Sequence, residues 1–271
     1  MKPLALILSF VFCLNSSAQK YGISIESGPS IGIFPKNLTD AAFKSETSYS
    51  LGHGMTNTLG FQVFPDSSSW YFSAGLQLFQ GSQVTTAYAG DDSGNYNANS
   101  RSVNSLRFQA QLAYSFKIGK LKLDLRAGFL LPVYSRTKEF QYRKDTSFNA
   151  MTTVQIQQYP SLGFIGGLNL NGSLIKNNKL RWFLNIDLSV LNSSVKRAEV
   201  VYYKDSKNAS LDEVFSSTSS KITEYRRDPT EIRNNEAVLP NRFDRNQATD
   251  KLTYMQSMNA FNIRFGFQFL F

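Results

Sequence analysis

The chain has 271 residues, a length that fits one large domain or two small ones. It is 42% hydrophobic and 14% aromatic, with only 18% charged residues and a formal net charge of +9. A single cysteine excludes a disulfide framework, a CxxC redox motif and a multi-cysteine zinc site. The positive charge alone does not distinguish nucleic acid from anionic lipid as a partner.

Residues 1–18 have the organisation of a signal peptide. Lys2 provides a positive n-region, residues 4–14 form an apolar stretch, and Asn15-Ser16-Ser17-Ala18 supplies the small residues of a cleavage site. We therefore predict cleavage after Ala18 and a mature chain, residues 19–271, that is exported beyond the inner membrane.

The mature sequence alternates between apolar and polar residues with a period of two, which is typical of strands with two different faces. The pattern is clearest at the end, where phenylalanines alternate with residues such as Arg264 and Gln268. Eight segments of this kind follow one another in the chain: 21–33, 55–64, 70–79, 106–118, 121–131, 154–170, 182–190 and 261–271. An even number of strands is expected of a bacterial membrane barrel.

The connections between these segments alternate in length. Short ones lie at 65–69, 119–120 and 176–179, and long polar ones lie at about 35–53, 81–103, 136–150 and 203–250. The sequence therefore predicts an all-β fold: a closed antiparallel transmembrane β-barrel of about eight strands, with short periplasmic turns and long outer loops. Ten strands stay open as an alternative if the last loop contains an extra hairpin.

Alternation alone does not say whether the apolar face points into a soluble core or out into lipid. The predicted export signal, the terminal Phe271 and the aromatics near strand ends, such as Trp70 and Trp182, favour lipid on the outside. The leader ending in Ser17-Ala18-Gln19, the eight-strand rhythm and the aromatic final strand resemble the small outer-membrane β-barrel proteins of the Bacteroidetes. That group is related in form to OmpX and the OmpA transmembrane domain and includes PorT-like barrels. The resemblance implies an outer-membrane location and carries no functional residues across.

If the apolar face points outward, several charged side chains point into the barrel. They are Glu26, Arg107, Lys117, Lys122, Asp124, Arg126, Asp187 and Arg264. Because the interior of an eight-stranded barrel is narrow, buried charges must pair there. We predict one carboxylate–guanidinium network around Glu26, Asp124, Asp187, Arg126 and Arg264, bridged by Gln62, Gln77 and Gln109. Its role is structural, or alternatively that of an ion path.

Residues suited to catalysis are few. His53, the only histidine, precedes Asp92-Ser93 in an order that resembles the lipid A palmitoyltransferase, an eight-stranded barrel enzyme. Neither the charged interior nor a mature chain that begins on a strand suits that enzyme. We expect no catalytic residues, no cofactor and no metal site.

The sequence therefore predicts a non-enzymatic outer-membrane barrel with a structural role, or a partner- or ligand-binding role through its outer loops. The expected partners are outer-membrane lipid, lipopolysaccharide and another envelope or secretion protein, and not nucleic acid. The alternatives are a narrow pore for ions or small solutes and a lipid A acyltransferase-like enzyme.

Overall fold

The computed structural model describes residues 20–33, 36–38, 47–65, 69–90, 95–175 and 179–271. The predicted signal peptide, residues 1–18, and the pair Asp92-Ser93 lie outside the described residues.

Sixteen strands lie in the described part of the chain. They are β1 (Lys20–Gly32), β2 (Lys36–Leu38), β3 (Thr47–Tyr49), β4 (Gly54–Phe64), β5 (Trp70–Gly81), β6 (Val84–Gly90), β7 (Tyr96–Ile118), β8 (Leu121–Asp145), β9 (Phe148–Gln158), β10 (Gly163–Ser173), β11 (Leu180–Val190), β12 (Asn192–Asp205), β13 (Ile222–Arg226), β14 (Thr249–Leu252), β15 (Met255–Ser257) and β16 (Ala260–Leu270). Fourteen of them belong to one sheet, while β2 and β3 pair only with each other.

Antiparallel pairing joins eight of these strands into a ring. β1 pairs with β4, β4 with β5, β5 with β7, and β7 with β8. β8 then pairs with β10, β10 with β11, β11 with β16, and β16 returns to β1. We call this set of strands the ring. Its short-turn end carries the connections 65–69, 119–120 and 174–179, and the opposite end is its long-connection end.

A second layer of pairing extends from the long-connection end. The first half of β7 and the second half of β8 stay paired beyond the ring, with β6 added beside β7 and β9 beside β8. β12 then pairs with β9, β13 with β12, and β14 runs parallel to β13. We call this arrangement the upper sheet.

The two layers meet at a β-bulge in β8. Arg107 of β7 lies opposite Pro132 whereas Leu106 lies opposite Tyr134, so Val133 is an extra residue. Proline lacks the backbone N–H that a regular ladder needs, and bulges are among the places where a strand accepts it. The extra residue changes which face of β8 is buried, from the side of Leu130 to the side of Glu139.

The faces of the ring are reversed relative to a soluble barrel. On β1, Ile25 is 65% exposed while its neighbour Glu26 is buried. On β16, Phe265, Phe267 and Phe269 are exposed while Arg264 is completely buried. Soluble proteins place charge outside and large apolar side chains inside, so this ring requires an apolar environment around it.

The structure corrects four predicted connections and one predicted strand. The predicted loop 35–53 contains the paired strands β2 and β3. The predicted loop 81–103 contains β6 and the start of β7, and 136–150 is a strand pair with a turn at 146–147. The predicted strand 154–170 is divided between β9 and β10. The strands of the upper sheet have polar residues on both faces. Their sequences therefore lack the alternation of apolar and polar residues by which the ring strands were predicted.

The predicted loop 203–250 also contains regular structure. Two short helical turns, Leu211–Val214 and Thr218–Lys221, lie between β12 and β13. Two more, Pro229–Glu231 and Pro240–Arg242, lie between β13 and β14. None of the helices in the described ranges is long and apolar enough to cross a membrane.

Candidate functional site: the interior and the two ends of the ring

The interior of the ring is built from the inward positions of its alternating strands. Among the described residues buried there, three carboxylates balance three guanidinium groups: Glu26, Asp124, Asp187, Arg107, Arg126 and Arg264. Such charges are tolerated in an interior only when they are paired or hydrogen-bonded. How each of the six is compensated decides what the interior can do.

Arg264 is shared between two carboxylates on the neighbouring strands. Its Nη1 donates to Glu26 Oε1 at 2.6 Å and to Thr58 Oγ1 at 3.0 Å, and its Nη2 donates to Asp187 Oδ2. The remaining carboxylate oxygens accept from amides: Asn185 Nδ2 donates to Glu26 at 3.1 Å and Asn262 Nδ2 donates to Asp187 at 2.7 Å. This group ties β16 to β1 and β11.

Asp124 is held by neutral donors instead of a cation. Its Oδ2 accepts from Tyr71 Oη at 2.8 Å, Asn169 Nδ2 at 3.0 Å and Asn171 Nδ2 at 2.8 Å, and its Oδ1 accepts from Ser115 Oγ at 2.5 Å. Four hydrogen bonds stabilise a buried carboxylate without an ion pair. Asp124 and its four donors form a layer near the short-turn end.

The other two guanidinium groups contact no carboxylate. Arg107 donates from Nε to Ser105 Oγ at 2.7 Å, and its Cζ lies 4.2 Å from the centre of the Phe79 ring, a cation–π contact. Arg126 donates to Ser73 Oγ at 3.5 Å. Among the described residues, neither makes a salt bridge.

The predicted single network is therefore corrected to separate groups. Glu26, Asp187 and Arg264 come together, but Asp124 and Arg126 each have their own partners. Gln62 joins Ser24 and Gln268, whereas the carbonyl oxygens of Gln77 and Gln109 have no hydrogen-bond partner in the described part of the chain. Alternation predicts the face on which a side chain lies. It does not predict the level of that side chain along the axis of the ring, because that level depends on strand register and tilt.

Lys117 and Lys122 also differ from the prediction. Lys117 is exposed and Lys122 half-buried, because both lie within two residues of the 119–120 turn, at the opening of the ring. They line a cavity of about 1040 Å³ at the short-turn end rather than joining the buried charges.

An apolar cluster closes the long-connection end. It consists of Leu51, Phe79, Val103, Leu130, Leu191 and Met258, each no more than 1% exposed. Phe79, Val103 and Leu130 occupy inward positions of β5, β7 and β8, so the cluster fills the ring from inside. The sequence shows no sign of it, since four of its six members fall outside the alternating segments. We call it the plug.

The connection between β13 and β14, residues 227–248, is folded around two polar side chains. Asn234 Nδ2 donates to the carbonyl oxygens of Asp244, Gln247 and Ala248. Asp250 accepts from the backbone amides of Arg233 and Asn234 and from Arg226 Nε, at 2.8–3.0 Å. Burial alone raises the pKa of Asp250, but these hydrogen bonds and the Arg226 charge outweigh burial and lower that pKa below 3.8.

Of the residues considered for catalysis, the structure describes only His53. His53 is exposed beside the long-connection end, and its carbonyl oxygen accepts from the Ser82 amide at 2.8 Å. Asp92 and Ser93, its suggested partners, lie outside the described residues. In the described ranges, no three His, Cys, Asp or Glu side chains are grouped to hold a metal ion.

Comparison with known proteins gives a likeness to solved structures and not to a protein family. No protein-family model matches the chain, and no curated protein matches it. A solid-state NMR structure of the outer membrane protein AlkL in DMPC lipid bilayers aligns with 95% of this chain and 93% of its own. The identity is 11% and the TM-score 0.30, and a likeness at this level carries no argument about this chain.

Proposed function

We propose that the ring is a closed eight-stranded transmembrane barrel of a bacterial outer membrane. The observation that carries this proposal is the reversal of faces: phenylalanine, leucine and isoleucine side chains point outward, and the charged ones are buried. Such a surface is stable only in hydrocarbon, where a closed sheet satisfies all of its backbone hydrogen bonds.

The dimensions of the ring support this placement. β4, β10, β11 and β16 each have 11 residues, the length that a tilted strand needs to cross a bilayer. At the short-turn end, outward-facing aromatic rings contact one another. The ring centroids of Trp70 and Tyr114 lie 4.7 Å apart, as do those of Tyr114 and Phe116. Aromatic belts of this kind mark membrane interfaces.

The role we propose is non-enzymatic: the barrel anchors the upper sheet, which binds another envelope or secretion protein through the connection 227–248. That connection is held rigid by Asn234 and Asp250, yet its exposed surface carries side chains of both signs and Val238, which is 61% exposed. A preorganised surface loses less entropy when it binds.

We also propose contact with outer-leaflet lipid and lipopolysaccharide just above the apolar band. Beyond the bulge, the outward face of β8 continues from Val133 to Tyr134, Arg136 and Lys138, and the Arg136 guanidinium lies 6.0 Å from the Tyr134 ring. Aromatic and basic side chains at this level suit phosphate-bearing headgroups. Kinship with the Bacteroidetes and PorT-like barrels is part of the same proposal and is supported by the aromatic final strand.

The plug and the Glu26–Arg264–Asp187 group make a pore the weaker alternative, since they fill the interior at two levels. No observation in the described part of the chain supports the acyltransferase alternative, whose Asp92 and Ser93 lie outside it. We therefore retain the binding role.

The experiment replaces residues 227–248 by a Gly-Ser linker of about ten residues, long enough to rejoin two parallel strands. In living cells, a photo-crosslinking amino acid at Val238 is expected to capture one defined partner. A crosslinker at Val201, on exposed β12, serves as the control and should not capture it.

Folding is monitored by gel migration with and without boiling, because closed barrels stay folded in detergent. Without any crosslinker, the wild-type chain and the linker variant should both shift on boiling, but only the wild-type chain should co-purify with the partner. Equal capture from Val238 and Val201, or co-purification with the linker variant, would refute this role for 227–248.

A further inference from the structure

The cavity at the short-turn end has a lining of one charge sign. Of the described residues around its volume of about 1040 Å³, six are basic and none is acidic. The basic residues come from four strands and two turns: Lys20, Lys117, Lys120, Lys122, Lys179 and Arg181. Groups so far apart in the sequence converge only because the ring closes there.

The nearest buried carboxylate, Asp124, acts through its charge on Lys122 and Arg181, but one carboxylate does not balance six basic groups. Asp124 lies two residues further into the ring than Lys122, and both of its oxygens are engaged by Tyr71, Ser115, Asn169 and Asn171. No salt bridge joins it to a lining residue in the described part of the chain. A concave surface of one sign between low-dielectric walls concentrates the opposite charge.

The cavity is a recess rather than the entrance of a passage. Above the Asp124 layer lies a small cavity of about 10 Å³, large enough for no more than about one water molecule. Above that, Arg264 bridges Glu26 and Asp187, and the plug closes the far end. A ligand that enters the recess therefore stays at the short-turn end.

The rim adds apolar surface to the basic lining. Leu174, Ile175 and Phe271 line the recess and are each about half exposed. Five of the six basic residues are lysines, which attract anions as point charges without the fixed fork geometry of arginine. A small inorganic anion would contact only the lysines. A peptide with acidic and apolar side chains would contact both the basic lining and the apolar rim.

We propose that this recess binds an acidic peptide segment of a partner protein, with its carboxylates on the lysines and its apolar side chains on the rim. A volume of this size is at the upper end of known ligand pockets and accommodates several residues of extended chain. In the proposed membrane orientation the recess faces the periplasm, so its partner differs from that of the upper sheet. The inference depends on the geometry of the ring and not on the role of residues 227–248.

The test uses the full folded protein in nanodiscs of zwitterionic lipid and a fluorescent octapeptide with four glutamates and two leucines. The same peptide with glutamine in place of glutamate is the ligand control. The variant Lys117→Gln/Lys120→Gln/Lys122→Gln is compared with Lys144→Gln/Lys204→Gln/Lys251→Gln, which removes three exposed lysines from the upper sheet. Both variants are first checked for boiling-dependent gel migration, and Lys117→Gln alone replaces the triple variant if that one does not fold.

We expect the acidic peptide to bind more weakly to the recess variant by about 10-fold or more, and to the upper-sheet variant by less than about 2-fold. Binding should weaken as salt rises, and the glutamine peptide should not compete. Equal losses in both variants would mean attraction by net charge alone and would overturn the proposal. It would also fail if tripolyphosphate or vesicles of anionic lipid bound in a lysine-dependent way while the peptide did not.

Discussion

Arg264 is the residue on which the interior of the ring depends most. It is completely buried, and it compensates two carboxylates on different strands, Glu26 and Asp187. Removing one member of such a group leaves the others charged and without a partner, which costs more than the ion pair itself contributes.

We expect Arg264→Met to lower the free energy of unfolding by about 3–5 kcal/mol, because two buried carboxylates then face each other without a cation. Urea unfolding in lipid vesicles, followed by boiling-dependent gel migration, measures the change. Arg245→Met, at an exposed position, should change it by less than about 0.5 kcal/mol. Adding Glu26→Gln and Asp187→Asn to Arg264→Met should restore most of the loss, and an unchanged urea midpoint for Arg264→Met would contradict the assigned role.

For a single charged residue, the face of the strand on which it lies was predictable from the sequence, but the residue with which it pairs was not. The alternation of β1 and β16 is enough to predict that Glu26 and Arg264 point inward. Their contact joins residues 238 positions apart and depends on strand register. Asp124 shows the opposite outcome, since it points inward as predicted and yet binds Tyr71 and two asparagines rather than an arginine.

At the scale of elements, the connection 227–248 depends on one carboxylate that orders its backbone. Asp250 accepts hydrogen bonds from the backbone amides of Arg233 and Asn234. The Asn234 side chain in turn donates to three carbonyl oxygens of the same connection. The charged form of Asp250 is the form that accepts all of these hydrogen bonds.

The pH dependence follows from the lowered pKa of Asp250. A carboxyl group with a depressed pKa stabilises the folded connection fully above its ordinary value of 3.8, and this stabilisation is lost as the pH falls through the lower folded value. The Arg233 and Asn234 amide resonances in NMR spectra should therefore stay unchanged down to about pH 4 and shift only below it. Titration of these amides above pH 4 would contradict the assignment, and in Asp250→Asn the pH-dependent shift should disappear.

Polar residues on both faces explain why the strands of the upper sheet, beyond the Val133 bulge, were not predicted. Below it, β8 alternates between outward-facing apolar side chains and a polar interior. Above it, Lys138 and Glu139 are both charged although one is exposed and the other buried against Arg101. Where both faces carry polar residues, hydropathy contains no period, and long pairing alone keeps the chain extended.

At the scale of the whole molecule, the reversal of faces has a direct consequence for substitution. Leu125 lies on the outward face of β8 near the middle of the ring and is 46% exposed. In a soluble barrel an arginine at such a position is harmless. In a bilayer it must leave water for hydrocarbon.

We expect Leu125→Arg to lower the free energy of unfolding in lipid vesicles by about 2–4 kcal/mol. Tyr142→Arg is the matched control: it lies on the same strand and is exposed, but beyond the bulge and above the apolar band, so it should have little effect. Urea titration in vesicles measures both variants. If Leu125→Arg proved as stable as the wild-type chain, the ring would not be surrounded by lipid.

The sequence by itself determined the ring strands and their faces, because a strand with an apolar outward face and a polar inward face must alternate in hydropathy. Only the tertiary structure decided which inward charges meet, that Lys117 and Lys122 line a basic recess, and how the plug closes the other end. Those features depend on strand register, strand tilt and a one-residue bulge. These set which inward side chains lie at the same level of the ring, and they cannot be read from the hydropathy period.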